Sequence, residues 1–281
     1  MKIAVTGATG QLGRLVIENL KTEAASDDII ALARDPQKAA DMGVPARAFD
    51  YDEADQLAPA LKGVDTLLLI SGVDIGRRLA QHTAVIEAAK EASVGHIVYT
   101  SLLNADKTTI ALGPEHAGTE KALAASGVPH TILRNGWYTE NYTMALGAAV
   151  QHKALIGAAG EGKISSATRE DYALAAAKVL LDPSLQGVTH ELAGDDSFTL
   201  AQMAEAVSVQ IGDTVSYVNM SVPDLTAAYH QAGMPEDMAG FLAMTDVEVS
   251  NGALFDDRRV LSKIIGRATT PMKDTVAKAL A

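Results

Sequence analysis

Six residues into the chain, a short apolar run meets the segment Thr6-Gly7-Ala8-Thr9-Gly10-Gln11-Leu12-Gly13. This Gly-x-x-Gly-x-x-Gly pattern constrains the fold more than any other feature. Lys2–Thr6 before it reads as a strand. Gln11–Lys21 after it carries Leu12, Leu15, Val16 and Leu20 at helical spacing. In such a strand–turn–helix unit Gly7 permits the tight exit from the strand. Gly10 lets the backbone approach a pyrophosphate, and Gly13 allows close packing of the helix. The N–H groups that open the helix then face an anion. The pattern therefore predicts a dinucleotide-binding start of an α/β fold.

The rest of the first half agrees. Strands are expected at Asp28–Ala33, Ala46–Phe49, Asp65–Ser71, His96–Ser101 and His130–Asn135, separated by helical stretches that include Arg78–Ala92 and Glu115–Ser126. Leu67-Leu68-Leu69-Ile70 is a continuous apolar run, which suits a parallel strand covered on both faces. The alternation predicts a Rossmann-type, doubly wound parallel sheet. The second half is richer in Ala and Met and reads as mainly helical. A boundary after Val150 is expected, with a nucleotide-binding domain over 1–150 and a smaller substrate-cleft lobe over 151–281. A strand near 189–193 would return to the sheet.

Composition limits the function classes. The chain of 281 residues carries a formal net charge of −12, from 35 acidic and 23 basic residues. Such a surface repels phosphate backbones, so a nucleic-acid partner is not expected. Cysteine is absent, which removes disulfides, thiolate nucleophiles and cysteine–metal sites together. No stretch reaches the roughly 18 apolar residues of a membrane span. Glycine interrupts the N-terminus before an apolar leader can form. A cytoplasmic protein is expected, and its assembly state, monomer or homo-oligomer, stays open.

The tip of the second strand selects between dinucleotides. A carboxylate there would hold a ribose 2′-hydroxyl. This chain has Arg34, whose planar fork suits a 2′-phosphate, with Lys38 one turn on. NADP(H) is therefore expected rather than NAD(H). Ligands lie beyond the carboxyl ends of parallel strands. Those ends carry Asp50, Ser71-Gly72, Thr100-Ser101 and Asn135-Gly136, all residue types that ordinary turns also favour.

The glycine turn, Arg34 and the block Leu133-Arg134-Asn135-Gly136-Trp137-Tyr138-Thr139-Glu140-Asn141 together resemble the NmrA-like atypical short-chain dehydrogenases. Supporting stretches are Leu67–Ser71, Tyr99–Leu103, Ile156–Lys163 and Phe255–Asp257, and the resemblance extends over essentially the whole chain. It implies a Rossmann domain with a small C-terminal lobe and a cleft between them. It implies NADPH on Gly7, Thr9, Gly10, Gln11 and Leu12, with Arg34 at the 2′-phosphate. Ser71, Gly72, Val73, Asn135, Gly136, Trp137, Tyr138, Thr139 and Glu140 would approach the nicotinamide side, and a quinone would occupy the cleft.

One departure bears on mechanism. Ordinary short-chain dehydrogenases place a Tyr-x-x-x-Lys pair on the helix after the fifth strand. Alignment on Glu120 puts Leu112 and His116 there, and Tyr99 followed by Leu103 does not begin the motif either. A ketone's developing alkoxide wants a placed donor. A quinone is already electrophilic and becomes aromatic on reduction, so it tolerates the loss. No essential acid or base is then expected, and Asn135 and Tyr138 would orient the acceptor. Two alternatives remain: a reductase of triphenylmethane-type dyes, and a non-catalytic NADP(H) sensor controlling a partner.

Other motifs carry less. Gly157–Lys163 resembles a P-loop, but Ile164 stands where a Mg²⁺-binding hydroxyl is needed. The 7 histidines lack the spacing of a helix-face metal site, so no metal is expected. His116 reads as structural or solvated rather than as a donor. Met234, Met238, Phe241 and Met244 fit core packing better than a lid.

Overall fold

A computed structural model describes residues 1–281. They form two compact units. The first comprises Met1–Asp106, Leu112–Asn135 and Arg169–Leu192, and the second Lys107–Ala111, Gly136–Thr168 and Ala193–Ala281. The expected boundary at Val150 is thus displaced. The chain leaves the first unit at Asn135, where the last long strand ends, and returns to it at Arg169. Compositional change marks neither crossing, because the sheet's edge decides both.

In the first unit, the chain runs β1 (Ile3–Val5), α1 (Gln11–Leu20), β2 (Ile29–Ala33), β3 (Ala46–Ala48), α2 (Ala54–Ala60), β4 (Thr66–Leu69), α3 (Arg78–Glu91), β5 (His96–Leu102), α4 (Gly113–Ser126) and β6 (His130–Asn135). It then passes through α5 (Thr139–Thr143), α6 (Leu146–His152) and β7 (Ala154–Gly157) of the second unit. It re-enters the first as α7 (Arg169–Leu181) and β8 (Thr189–Leu192). The sheet has seven strands in the order β3-β2-β1-β4-β5-β6-β8, and every pair is parallel. The returning strand at 189–192 takes the edge beside β6. The direction of strand addition reverses between β1 and β4, which opens a crevice at their carboxyl ends.

Burial follows the sequence logic. Leu67, Leu68 and Leu69 of β4 are wholly inaccessible, since helices cover both sheet faces. Residues Pro36–Met42 form a 3₁₀ helix in place of an α-turn. Asp35 caps it by accepting from the Gln37 N–H, and Pro36 fills a first-turn position where no donor is needed.

In the second unit, β7 pairs in parallel with β9 (Ser216–Asn219), and the chain continues through α8 (Leu200–Ile211), α9 (Val222–Gln231), α10 (Glu236–Ser250), α11 (Val260–Ile265) and α12 (Met272–Ala279). The lobe is mainly helical, but this two-stranded sheet was not anticipated. Its strands are four residues each, too short to show a period-2 pattern. Lys153 in the left-handed region turns the chain from α6 into β7. No helix is long and apolar enough to cross a membrane.

Candidate functional site

The glycine turn lies at the crevice between β1 and β4. Gly7 has φ +56°, a left-handed conformation that a side chain resists. A Cβ on Gly13 would sit 2.4 Å from the Gly7 carbonyl oxygen and 2.8 Å from the Ala8 Cα. Gly13 is therefore required by the turn folding back on α1, not by contact with the sheet. Gly10 stands at the N-cap of α1, with no side-chain cap and no acidic residue in the first turn. The positive end of the helix is thus left open to an anion. Ala8 N–H donates to Leu32 O at 3.2 Å, tying the turn to the end of β2.

Beyond β2, Arg34 is exposed and makes no ion pair or hydrogen bond. Beside it an open recess of about 590 Å³ is lined by Thr9, Arg14, Gln37, Lys38, Ala40 and Asp41. Arg14 forks across this recess to the Asp41 carboxylate at 2.9 and 3.1 Å and to Lys38 O at 2.7 Å. It braces the 3₁₀ segment that presents Lys38. Sequence reasoning missed Arg14, because one arginine in an amphipathic helix gives no signal.

The carboxyl ends of β1 and β4 are fastened by Tyr51. Its hydroxyl lies 2.6 Å from Thr6 Oγ1 and donates to Ile70 O at 2.8 Å, while Ile70 N–H donates to Thr6 Oγ1 at 2.9 Å. The next peptides are held by side chains instead of a strand ladder. Ser71 N–H donates to Thr100 Oγ1 at 2.9 Å, and Gly72 N–H to His82 Nε2 at 2.9 Å. Arg78 Nε donates to Gly72 O at 2.7 Å and pairs through Nη1 with Glu115 at 3.1 Å. Because His82 Nε2 accepts, its proton is on Nδ1, which faces Thr119 Oγ1 at 3.0 Å. Burial, helped by His116 and Arg78, brings the His82 pKa down to about 3. Ser71 and Gly72 are half-buried and Val73 is exposed.

Tyr99 and His116, the nearest approach to an acid–base pair, form a buried 2.8 Å hydrogen bond between the Tyr hydroxyl and Nδ1. Burial, then Arg78, brings His116 down to about 3, and burial drives the Tyr99 phenol upward. Both belong to the interior of the first unit. Glu120, the alignment anchor, instead receives the Arg134 guanidinium in a two-point fork at 2.6 and 2.9 Å, together with Ser101 Oγ at 2.6 Å.

Asn135 ends β6, and its peptide carbonyl accepts from Leu103 N–H at 2.9 Å. Its side-chain oxygen is buried with no hydrogen-bond partner in the protein, a condition that a native structure seldom leaves unused. The residues that follow belong to the second unit. Gly136 is buried and Trp137 and Tyr138 are half-buried. Trp137 O accepts from Ala167 N–H at 3.2 Å, and Thr139 N–H donates to Ala167 O at 2.9 Å. Thr139 Oγ1 lies 2.8 Å from Ser166 Oγ, and Glu140 sits in the first turn of α5. The first unit thus gathers Gly7, Thr9, Gly10, Gln11, Leu12, Ser71 and Gly72 about one crevice, with Arg34 beyond the neighbouring strand. The second holds Tyr138–Glu140 along the segment around Ala167.

The loop at Gly157–Lys163 is not a phosphate cradle. Ala158 N–H is taken by the Asp246 carboxylate at 2.8 Å, and Gly160 N–H by Tyr217 Oη and Asn219 Oδ1 at 3.1 and 3.0 Å.

Comparison with known proteins places these features in context. The NmrA-like family profile matches residues 1–273. Quinone oxidoreductase 2 of Escherichia coli is 49% identical over 278 residues, which cover 98% of this chain and 97% of that protein. The crystal structure of the E. coli NADPH-dependent quinone oxidoreductase complexed with NADPH superposes with a TM-score of 0.97 at 48% identity, covering 99% of this chain and 100% of the other. The Citrobacter triphenylmethane reductase complexed with NADP(H) gives 0.96 at 37% identity, with coverage of 99% and 100%. A glycine turn at the sheet's switch point, an arginine beyond the second strand and a match over nearly the full length lead to one assignment: the chain belongs to the NmrA-like family.

Proposed function

We propose that this chain is an NADPH-dependent oxidoreductase that reduces quinones. The observation that carries this reading is the near-full-length match at 49% identity to a quinone oxidoreductase. The first unit suits the cofactor. The open N-terminus of α1 and its glycines would receive the pyrophosphate, and Arg34 the 2′-phosphate, with Lys38 adding charge. The unpartnered Asn135 oxygen and the side-chain-held Ser71–Gly72 peptides would meet its nicotinamide end. Bound NADPH supplies the hydride. The protein's task is then position and exclusion of water, with Asn135 and Tyr138 orienting the acceptor. Tyr99 and His116 are tied to each other in the interior, which agrees with an acceptor that needs no placed acid. A triphenylmethane-type dye is the second reading, supported by the TM-score of 0.96 to such a reductase.

The test follows NADPH absorbance with a panel of quinones, cationic triphenylmethane dyes and simple aldehydes. Quinone turnover well above that of aldehydes is expected. Turnover of dyes alone would move the assignment to the second reading. Saturable NADPH binding without turnover of any acceptor would indicate a sensor.

A further inference from the structure

The recess of about 590 Å³ in the first unit starts at the glycine turn, through Thr9. It ends on the 3₁₀ segment Pro36–Met42, through Gln37, Lys38, Ala40 and Asp41. Arg14, one turn into α1, completes the lining. The charge here departs from that of the whole chain. The protein carries −12, whereas this lining holds two cations, Arg14 and Lys38, against one carboxylate, Asp41. Lys38 is exposed, as is Arg34 just ahead of it in the chain.

Arg14 differs from both in being engaged twice. Its Nη1 donates to the two oxygens of Asp41, 3.1 and 2.9 Å away, and its Nη2 donates to Lys38 O at 2.7 Å. The two contacts differ in kind. The Lys38 carbonyl belongs to the backbone and fixes where the guanidinium lies. The Asp41 carboxylate takes the donor that an incoming anion needs. Carboxylate and phosphate both offer a guanidinium a pair of acceptor oxygens, so Asp41 holds the place of a phosphate at Arg14. It holds it weakly. The Arg14 and Asp41 side chains are 40% and 70% exposed, and such a pair is worth no more than about fivefold in an equilibrium. The Arg14 hydrogen bond keeps the Asp41 carboxyl below its ordinary range, so the group is an anion at neutral pH.

We propose that Arg14 is a third donor to the cofactor's 2′-phosphate, beside Arg34 and Lys38, and that Asp41 is its resident competitor, displaced when NADPH binds. The inference rests on the NADPH-dependent reading. A ribose 2′-hydroxyl carries no charge and does not displace a carboxylate from a guanidinium. Asp41 therefore acts on the phosphorylated cofactor alone and restrains its affinity. A restrained grip eases release of the oxidised cofactor after hydride transfer, a step that limits many enzymes.

The test is calorimetric titration of the wild type, Asp41→Ala, Arg14→Gln and the double variant with NADPH, NADH and adenosine 2′,5′-bisphosphate. Asp41→Ala should tighten NADPH and the bisphosphate about threefold to fivefold and leave NADH unchanged. Arg14→Gln should weaken the same two ligands about tenfold, again sparing NADH. In the Arg14→Gln background Asp41→Ala should have no effect, because the competitor then has nothing to compete for. A gain that persists in that background would reduce Asp41 to one more surface charge and overturn the proposal. Unchanged NADPH affinity in Asp41→Ala would overturn it too, as would equal losses of NADPH and NADH in Arg14→Gln, which mark a brace and not a phosphate donor. A wild type that binds NADPH no better than NADH would instead sink the cofactor reading itself. Urea unfolding of each variant checks that the fold is retained.

Discussion

Four tyrosines divide between two treatments. In the first unit Tyr51 and Tyr99 have hydroxyls with protein partners, Thr6 and Ile70 for one and His116 for the other. In the second, Tyr142 and Tyr229 are half-buried, and burial, with Asp246 adding to it, raises both phenols. The same contrast holds for the ionisable groups beside them. His82 and His116 are buried, neutral and hydrogen-bonded, while Asp246 keeps an acid poised at about 6 with a single N–H donor. A satisfied polar network fixes a shape. The first unit uses its side chains to set the backbone, and the backbone then meets the ligand.

The sharpest way to break this contrast is at the backbone. Gly13→Val would force a Cβ against the Gly7 oxygen, with only 2.4 Å available. NADPH affinity should fall at least about 100-fold, corresponding to about 2.7 kcal/mol, with overpacking costing about 1–3 kcal/mol of stability. Calorimetric titration and urea unfolding measure the two. Normal NADPH binding in a folded variant would place the dinucleotide elsewhere.

A somewhat smaller effect is expected at Arg34. Arg34→Ala should weaken NADPH by about 1.5–3 kcal/mol, the scale of a charge-assisted hydrogen bond, and leave NADH nearly unchanged. Fluorescence titration of both cofactors reads this directly, and equal losses would refute the 2′-phosphate assignment.

Three buried or half-buried groups, two in the first unit and one in the second, should respond to acid with opposite sign. His82 and His116 have native pKa values of about 3, against an ordinary value of 6.5. Between those limits the unfolded chain binds more protons. Each histidine therefore lowers stability as pH falls, by up to about 1.4 kcal/mol per pH unit. Asp246 runs the other way. Its carboxyl is raised from 3.8 to about 6, so the native state binds more protons in that window and gains stability as pH falls through it. His116→Gln should flatten the acid-side loss. Asp246→Asn should stabilise the protein by about 2 kcal/mol near neutral pH and steepen the loss below pH ~6. Urea unfolding at about pH 7 and about pH 5 gives both slopes, and parallel slopes in the two variants would contradict the contrast.

The smallest effect is expected at Tyr99. Tyr99→Phe removes the His116 partner and should cost about 1–2 kcal/mol of stability. Single-turnover reduction of a quinone should slow by far less than the roughly 10²–10⁴-fold contribution of a placed acid. A loss above about 10³-fold at unchanged NADPH affinity would make this buried pair catalytic.

What the sequence disclosed follows the same division. The turn at Gly7–Gly13 is contiguous, and its strand, glycines and helix dictate one another locally, so it is legible by eye. The apolar run Leu67–Leu69 likewise announces a central strand. The supports of Gly72 are not legible, since His82 and Arg78 sit on a helix whose sequence gives no reason to single them out. Asp246, Tyr142 and Tyr229 come from three separate helices, and only folding brings them within electrostatic reach. The β7–β9 sheet escaped for a different reason: Ala154–Gly157 and Ser216–Asn219 are short and widely separated. Their pairing is decided by the tertiary context.

The pairing of β6 with β8 sets a timetable for the newborn chain. Ile132 aligns with Thr189 and Asn135 with Leu192, although β7 and the whole stretch from Gly136 to Thr168 are synthesised between them. Synthesis delivers β1 to β6 in order, and their parallel ladder can assemble while β8 is still inside the ribosome. During that interval β6 is an open edge, with unpaired backbone donors and acceptors beside Ile132 and Leu133. Arg134, from the same strand, waits with it, and Glu191 arrives on β8 to meet its guanidinium at 2.8 Å. A chain released early, before Thr189, would keep that edge for good and would be a template for aggregation.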